Sequence, residues 1–100
     1  MNQIKIKTFE SEIFREHTLS PNLEPLGKAN CTMTFHMSND ERTGCIEWEV
    51  EYENGDYDYE EIGLWFDEHK CLTDYDGVFA MPKQAIELLE ECGYNSDYAK

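Results

Sequence analysis

Apolar and polar residues alternate with a period of two over much of this chain, which is the mark of half-buried strands. Over residues 2–9, Ile4, Ile6 and Thr8 alternate with Lys5 and Lys7 and predict a first strand. Ile13 and Phe14 follow in a stretch of no clear period. Pro21, Pro25 and Gly27 predict a loop over 19–28, because proline neither donates to a ladder nor continues a helix. From Asn30, the residues Cys31, Met33, Phe35 and Met37 alternate with Thr32, Thr34 and His36, a second strand that ends in a polar turn over 38–44. Near the C-terminus the period lengthens to that of a helix over 82–92. Pro82 suits its first position, Gly93 suits the left-handed residue after its end, and Ala85, Ile86, Leu89 and Cys92 form its apolar stripe.

The strongest local signal lies between these elements. Ile46, Trp48, Val50 and Tyr52 alternate with Glu47, Glu49, Glu51 and Glu53, then Asn54-Gly55 precedes Asp56-Tyr57-Asp58-Tyr59-Glu60. Strict alternation on both sides of Asn-Gly predicts a hairpin with a two-residue loop, both loop residues taking positive φ. That loop pairs Glu53 with Asp56, Glu51 with Asp58 and Glu49 with Glu60. One face then carries Glu47, Glu49, Glu51, Glu53, Asp56, Asp58 and Glu60, and the other carries the aromatic and aliphatic residues. Ile62, Leu64 and Phe66 fall out of phase with this arrangement. A one-residue bulge at Glu60-Glu61 is therefore expected to return them to the core and to leave Trp65 exposed among the acids. A turn over 67–70 and a short strand over 71–75 complete the series.

The pattern implies one α+β domain spanning 1–100: an antiparallel sheet of four to five strands with a C-terminal helix packed on one face. Composition adds a strong charge. The net charge is −14, with 13% aromatic residues, so the chain is acidic yet rich enough in aromatics to fold. The acidity is local: residues 1–30 balance to zero, whereas 31–69 carry twelve acids against Arg42 alone. Such a charge argues against direct binding of nucleic acid or an anionic membrane. No run approaches the roughly 20 apolar residues of a membrane helix, and the alternating N-terminus does not read as a secretory signal. Cys31, Cys45, Cys71 and Cys92 are widely spaced, so reduced thiols in a cytoplasmic setting are expected.

No reaction signature emerges. Asp56-x-Asp58-x-Glu60 supplies three oxygen ligands, but an EF-hand loop requires glycine where Glu61 stands and glutamate where Asp67 stands. Cys31, His36, Cys45, His69 and Cys71 are soft ligands without a C-x-x-C pair to anchor zinc. Cys71 or Cys45 with His36 or His69 is formally a nucleophile and base, yet acidic surroundings raise a thiol pKa. Nucleotide-binding and hydrolase motifs are absent. Neither an enzyme nor a cofactor is expected.

A row of like charges directly opposed across strands destabilises by up to about 1 kcal/mol per pair. The functional expectation is therefore a docking face, formed by the seven carboxylates and Trp65, for a basic, nucleic-acid-binding protein partner. In character rather than in motif, such a face is similar to the small acidic DNA-mimic inhibitors that phages and mobile elements direct against restriction or CRISPR systems. The competing expectations are an accessory domain whose acidic face is only solvated and blunts aggregation, and a small-molecule or metal-binding domain.

Overall fold

The computed structural model describes residues 2–14 and 25–100, and side chains over 2–11 and 28–100. The chain is mostly strand. A five-stranded antiparallel sheet runs in sequence order, β1 (Asn2–Phe14), β2 (Pro25–Met37), β3 (Thr43–Tyr52), β4 (Tyr57–Phe66) and β5 (Leu72–Asp76). One short helix, α1 (Lys83–Glu91), follows, and a 3₁₀ turn at Asp97–Ala99 ends the fold. Consecutive strands pair antiparallel throughout. The expected loop over 19–28 is shorter at its C-terminal end, because Pro25 to Lys28 already belong to β2; the rest of it lies outside the described residues.

Helix α1 packs on part of one face of the sheet, and Phe9, Trp48 and Tyr52 cover Ala29, Cys31 and Val50 beside it. Ala85, Leu88 and Leu89 are buried against Met33, Phe35, Met37, Ile46, Ile62, Leu64, Phe66, Leu72, Met81 and Tyr94. Ile86 and Cys92, expected in the stripe, lie at its margin, and Leu88 takes the central place. The helix begins one residue later than expected, with Pro82 at the N-cap position, and Gly93 leaves it at φ 87°. Among the described residues, no helix is long and apolar enough to cross a membrane.

The orientation of β1 differs from the ordinary expectation for an alternating strand. Lys5 and Lys7 share a face with Phe35 and Met33, their partners in register, and point toward α1. Lys5 Nζ lies 2.9 Å from Glu91, and Lys7 Nζ lies 2.9 Å from Glu91 and 3.4 Å from Glu87. Ile4 and Ile6 are left exposed, at 46% and 50%. The acids of the helix draw the lysines inward. Those contacts hold the Glu91 carboxyl below its usual range, chiefly through Lys7, and raise Lys7.

The hairpin between β3 and β4 corrects the expected register. Gly55 N–H donates to the Tyr52 carbonyl at 3.0 Å, and Tyr52 N–H donates to the Asp56 carbonyl at 2.9 Å, so Glu53, Asn54 and Gly55 form a three-residue loop. Only Gly55 of the three takes positive φ, at 89°. A type I turn closed by a left-handed glycine is the usual three-residue hairpin. The extra loop residue slides β4 by one position, pairing Glu51 with Tyr57, Glu49 with Tyr59, Glu47 with Glu61, Val50 with Asp58 and Trp48 with Glu60. Because strand side chains alternate, a slip of one exchanges the two faces of β4.

Ile62, Leu64 and Phe66 are then already in phase with Ile46 and Gly44, and the bulge expected at Glu60-Glu61 is not formed. Two terms favour this register. It buries three large apolar residues without a bulge, and it replaces the three acid–acid pairs of the two-residue loop by glutamate–tyrosine and apolar–acid pairs. It creates one acid–acid pair of its own, Glu47 with Glu61.

Candidate functional site: the open face of the sheet

The face of the sheet opposite α1 carries two unlike halves. On β1 and β2 it presents Ile6, Thr8 and Glu10 beside Thr34, Thr32 and Asn30. On β3 to β5 it presents Glu47, Glu49 and Glu51, then Tyr57, Tyr59, Glu61 and Trp65, then Asp74 and Asp76 opposite Trp65 and Gly63. Tyr57, Tyr59 and Trp65 are 60%, 44% and 39% exposed. The second half is therefore a surface of aromatic rings interleaved with carboxylates.

The expected seven-carboxylate row is divided. Glu47, Glu49 and Glu51 stay together on the open face. Asp58 and Glu60 pair with Val50 and Trp48 and so lie on the face that α1 covers, exposed beyond its reach, while Glu53 and Asp56 belong to the loop region. Asn54 Nδ2 donates to the Asp56 carboxylate at 2.9 Å, which ties that acid to the turn. Trp65 is exposed on the acid-bearing face, as its position predicts, although by continuous alternation rather than by a bulge.

Sequence reasoning missed Glu61, Tyr57, Tyr59, Asp74 and Asp76 as members of this surface. The signal for Glu61 and the two tyrosines was the phase of Ile62, Leu64 and Phe66: counting back from that triplet places Asp58 and Glu60 on the core side. No comparable signal announced Asp74 and Asp76, because a register shift between Trp65 and Phe66 sets the pairing of β5.

The phenols stabilise the carboxylates locally. Tyr59 Oη lies 3.2 Å from Glu61 Oε2 and donates to it. Partial desolvation, then Glu49 beside it, pushes the Tyr57 phenol above its ordinary value; desolvation, then Glu47 and Glu61, does the same to Tyr59. Trp65 lies against the open position at Gly63, where an added Cβ would meet the Trp65 ring at 3.3 Å and the Asp76 carboxylate as well. An indole and a carboxylate thus share the space that a side chain at residue 63 would fill.

Lysines of the described part of the chain go elsewhere. Lys5, Lys7 and Lys83 reach the acids of α1, Lys28 reaches Glu10, Lys70 reaches Glu41 and Lys100 reaches Glu90 and Asp97. Among the described residues, no lysine or arginine pairs with Glu47, Glu49, Glu51, Glu61, Asp74 or Asp76. Among the described residues, the basic group that reaches these acids is His36, whose Nε2 is 3.5 Å from Glu47 Oε1.

The other sequence candidates separate. Asp56, Asp58 and Glu60 do not converge, and among the described residues no three His, Cys, Asp or Glu side chains come together as metal ligands. His36 does stand directly opposite Cys45 in register. Burial, followed by the charges of Glu61 and Glu47, pushes the Cys45 thiol up, the reverse of what an attacking thiolate requires. Cys31 and Cys92 are likewise pushed up by burial. Among the described residues all four cysteines are free thiols.

No protein-family model, curated protein or solved structure matches this chain.

Proposed function

We propose that this protein is a non-enzymatic acidic binding module that docks on a basic, nucleic-acid-binding protein and inhibits or regulates it. The observation that carries this reading is the half of the open face on β3 to β5. There Glu47, Glu49, Glu51, Glu61, Asp74 and Asp76 surround exposed Tyr57, Tyr59 and Trp65, without lysine or arginine partners among the described residues. Carboxylates on alternate strand residues lie roughly 6.6 to 7 Å apart, about twice the ~3.4 Å of axis per charge along a nucleic-acid strand. Arginine and lysine side chains bind such a surface twice over, pairing with the carboxylates and stacking on the rings. Aromatic residues also supply the desolvated anchors that dominate binding energy, which a purely acidic face lacks. The one-residue slip of β4 therefore supports docking better than the uninterrupted carboxylate row did. In character, this proposed role is similar to that of the DNA-mimic inhibitors of phages and mobile elements.

The test is capture of partners from the native host with the intact chain and with a Glu47→Lys, Glu49→Lys, Glu61→Lys triple variant. The wild type is expected to retain a basic nucleic-acid-binding protein, with an association rate that falls steeply with salt. The triple variant and Trp65→Ala are each expected to lose it by tenfold or more, roughly 1.4 kcal/mol. Capture that is indifferent to the three reversals would sink the proposal and leave a solvated face.

A further inference from the structure

We propose that β1 is a self-association edge, through which two copies of this chain join antiparallel into one continuous sheet. The sheet has two outer strands, and they are unlike. β5 is five residues long and carries Asp74 and Asp76. Its outer side is engaged at its start, where Asn95 bridges to Cys71, accepts from Leu72 N–H at 2.8 Å and donates to the Lys70 carbonyl at 2.9 Å, and Tyr98 packs edge-on against Tyr75. β1 is thirteen residues long, and among the described residues no strand pairs with its outer side. Its pairing with β2 runs without a register shift from Lys5 to Glu12, and no proline interrupts it. A long edge of this kind is a template for a further strand.

Charge selects a second copy as the occupant. The chain as a whole, at −14, repels its like, but residues 1–30 balance to zero. Lys5 and Lys7 are matched by Glu91 and Glu87, and Glu10 by Lys28. On the open side the strand shows Ile6 and Thr8, with exposed Ile4 at its bulged start. Two copies can approach closely at this margin with little opposition, and doing so covers isoleucines that would otherwise face water. A two-fold axis perpendicular to the sheet makes the contact isologous and keeps both open faces on the same side. The acid–aromatic halves then lie at the two outer ends of a ten-stranded sheet.

Sedimentation equilibrium of the full chain over a dilution series tests this. The wild type is expected to approach twice the 11.8 kDa chain mass. Ile6→Lys, which alters only an exposed side chain, and Thr8→Pro, which interrupts the edge, are expected to weaken dimerisation roughly tenfold or more. Glu49→Lys, on the other half of the face, is expected to leave it intact. Raising the salt from about 0.1 M to about 1 M shortens the screening length from ~10 Å to ~3 Å and is expected to tighten the dimer, whereas it weakens docking of a basic partner. A chain that stays at 11.8 kDa at every concentration overturns the proposal. So does a dimer unaffected by Ile6→Lys, or one that loosens with salt. Should Thr8→Pro unfold, the Ile6→Lys result decides alone.

Discussion

Tyrosine hydroxyls meet carboxylates on both sides of this sheet, and the meeting costs the phenols their acidity. Tyr94 shows the effect most strongly. Its ring packs edge-on against Phe35 with centroids 5.5 Å apart and tilts against Phe66 at 4.8 Å, while its hydroxyl donates to Glu41 Oε1 at 3.2 Å. Burial, and then the Glu41 charge, pushes it up to about 12 from an ordinary 10.0. A neutral phenol in the folded state and a freely ionising one in the unfolded state make stability depend on pH. The contribution is fully present below pH 10 and is lost as the pH climbs from there toward about 12. Tyr94→Phe is expected to lower stability at neutral pH by about 0.5–1.5 kcal/mol through the lost hydrogen bond. It is also expected to flatten the alkaline decline, and urea melts at pH 8 and pH 11 check both effects.

At the scale of elements, the loop over residues 53–55 decides which side chains share a surface. Gly55 holds φ 89°, with no atom within 4 Å of an added Cβ, so Gly55→Ala carries only the left-handed penalty, about 1–2 kcal/mol. Asn54 has no positive φ to maintain, so Asn54→Ala is expected to cost less, through its hydrogen bonds to Asp56 alone. A two-residue loop demands the opposite sensitivity at Asn54, and chemical denaturation of the two variants separates the cases. Cross-strand proton contacts between Glu49 and Tyr59 give the register directly. The alternation of Cys31, Met33, Phe35 and Met37 and the existence of a C-terminal helix were legible in the sequence, because each has a burial pattern of its own. The register is not legible locally, since Asn-Gly serves two loop lengths. What decides between them is a distant burial term, that of Ile62, Leu64 and Phe66. Lys5 and Lys7 were opaque for a similar reason, their partners Glu87 and Glu91 being far along the chain.

For the whole molecule, the arrangement distributes charge unevenly and, among the described residues, leaves one direct cross-strand repulsion, Glu47 against Glu61. Glu61→Gln keeps an acceptor for Tyr59 while removing that repulsion and is expected to stabilise the fold by up to about 1 kcal/mol. Added salt is expected to raise the thermal midpoint of the wild type more than that of the variant, since screening relieves the same term. Differential scanning calorimetry at low and high salt measures both. The location of the acidity between residues 31 and 69 was readable from the sequence. Its division between two faces, and the rings that accompany it, followed from pairing.

Trp65 and Trp48, the two tryptophans of the chain, stand on opposite faces of the sheet, one exposed beside Asp74 and Asp76 and the other packed against the core. The protein therefore carries its own optical reporter. A cationic quencher such as caesium, concentrated by the neighbouring carboxylates, dims Trp65 selectively, whereas iodide is held away from it. A partner seated on the open face protects that emission, so occupancy can be followed in the unlabelled protein from the caesium-sensitive part of its fluorescence.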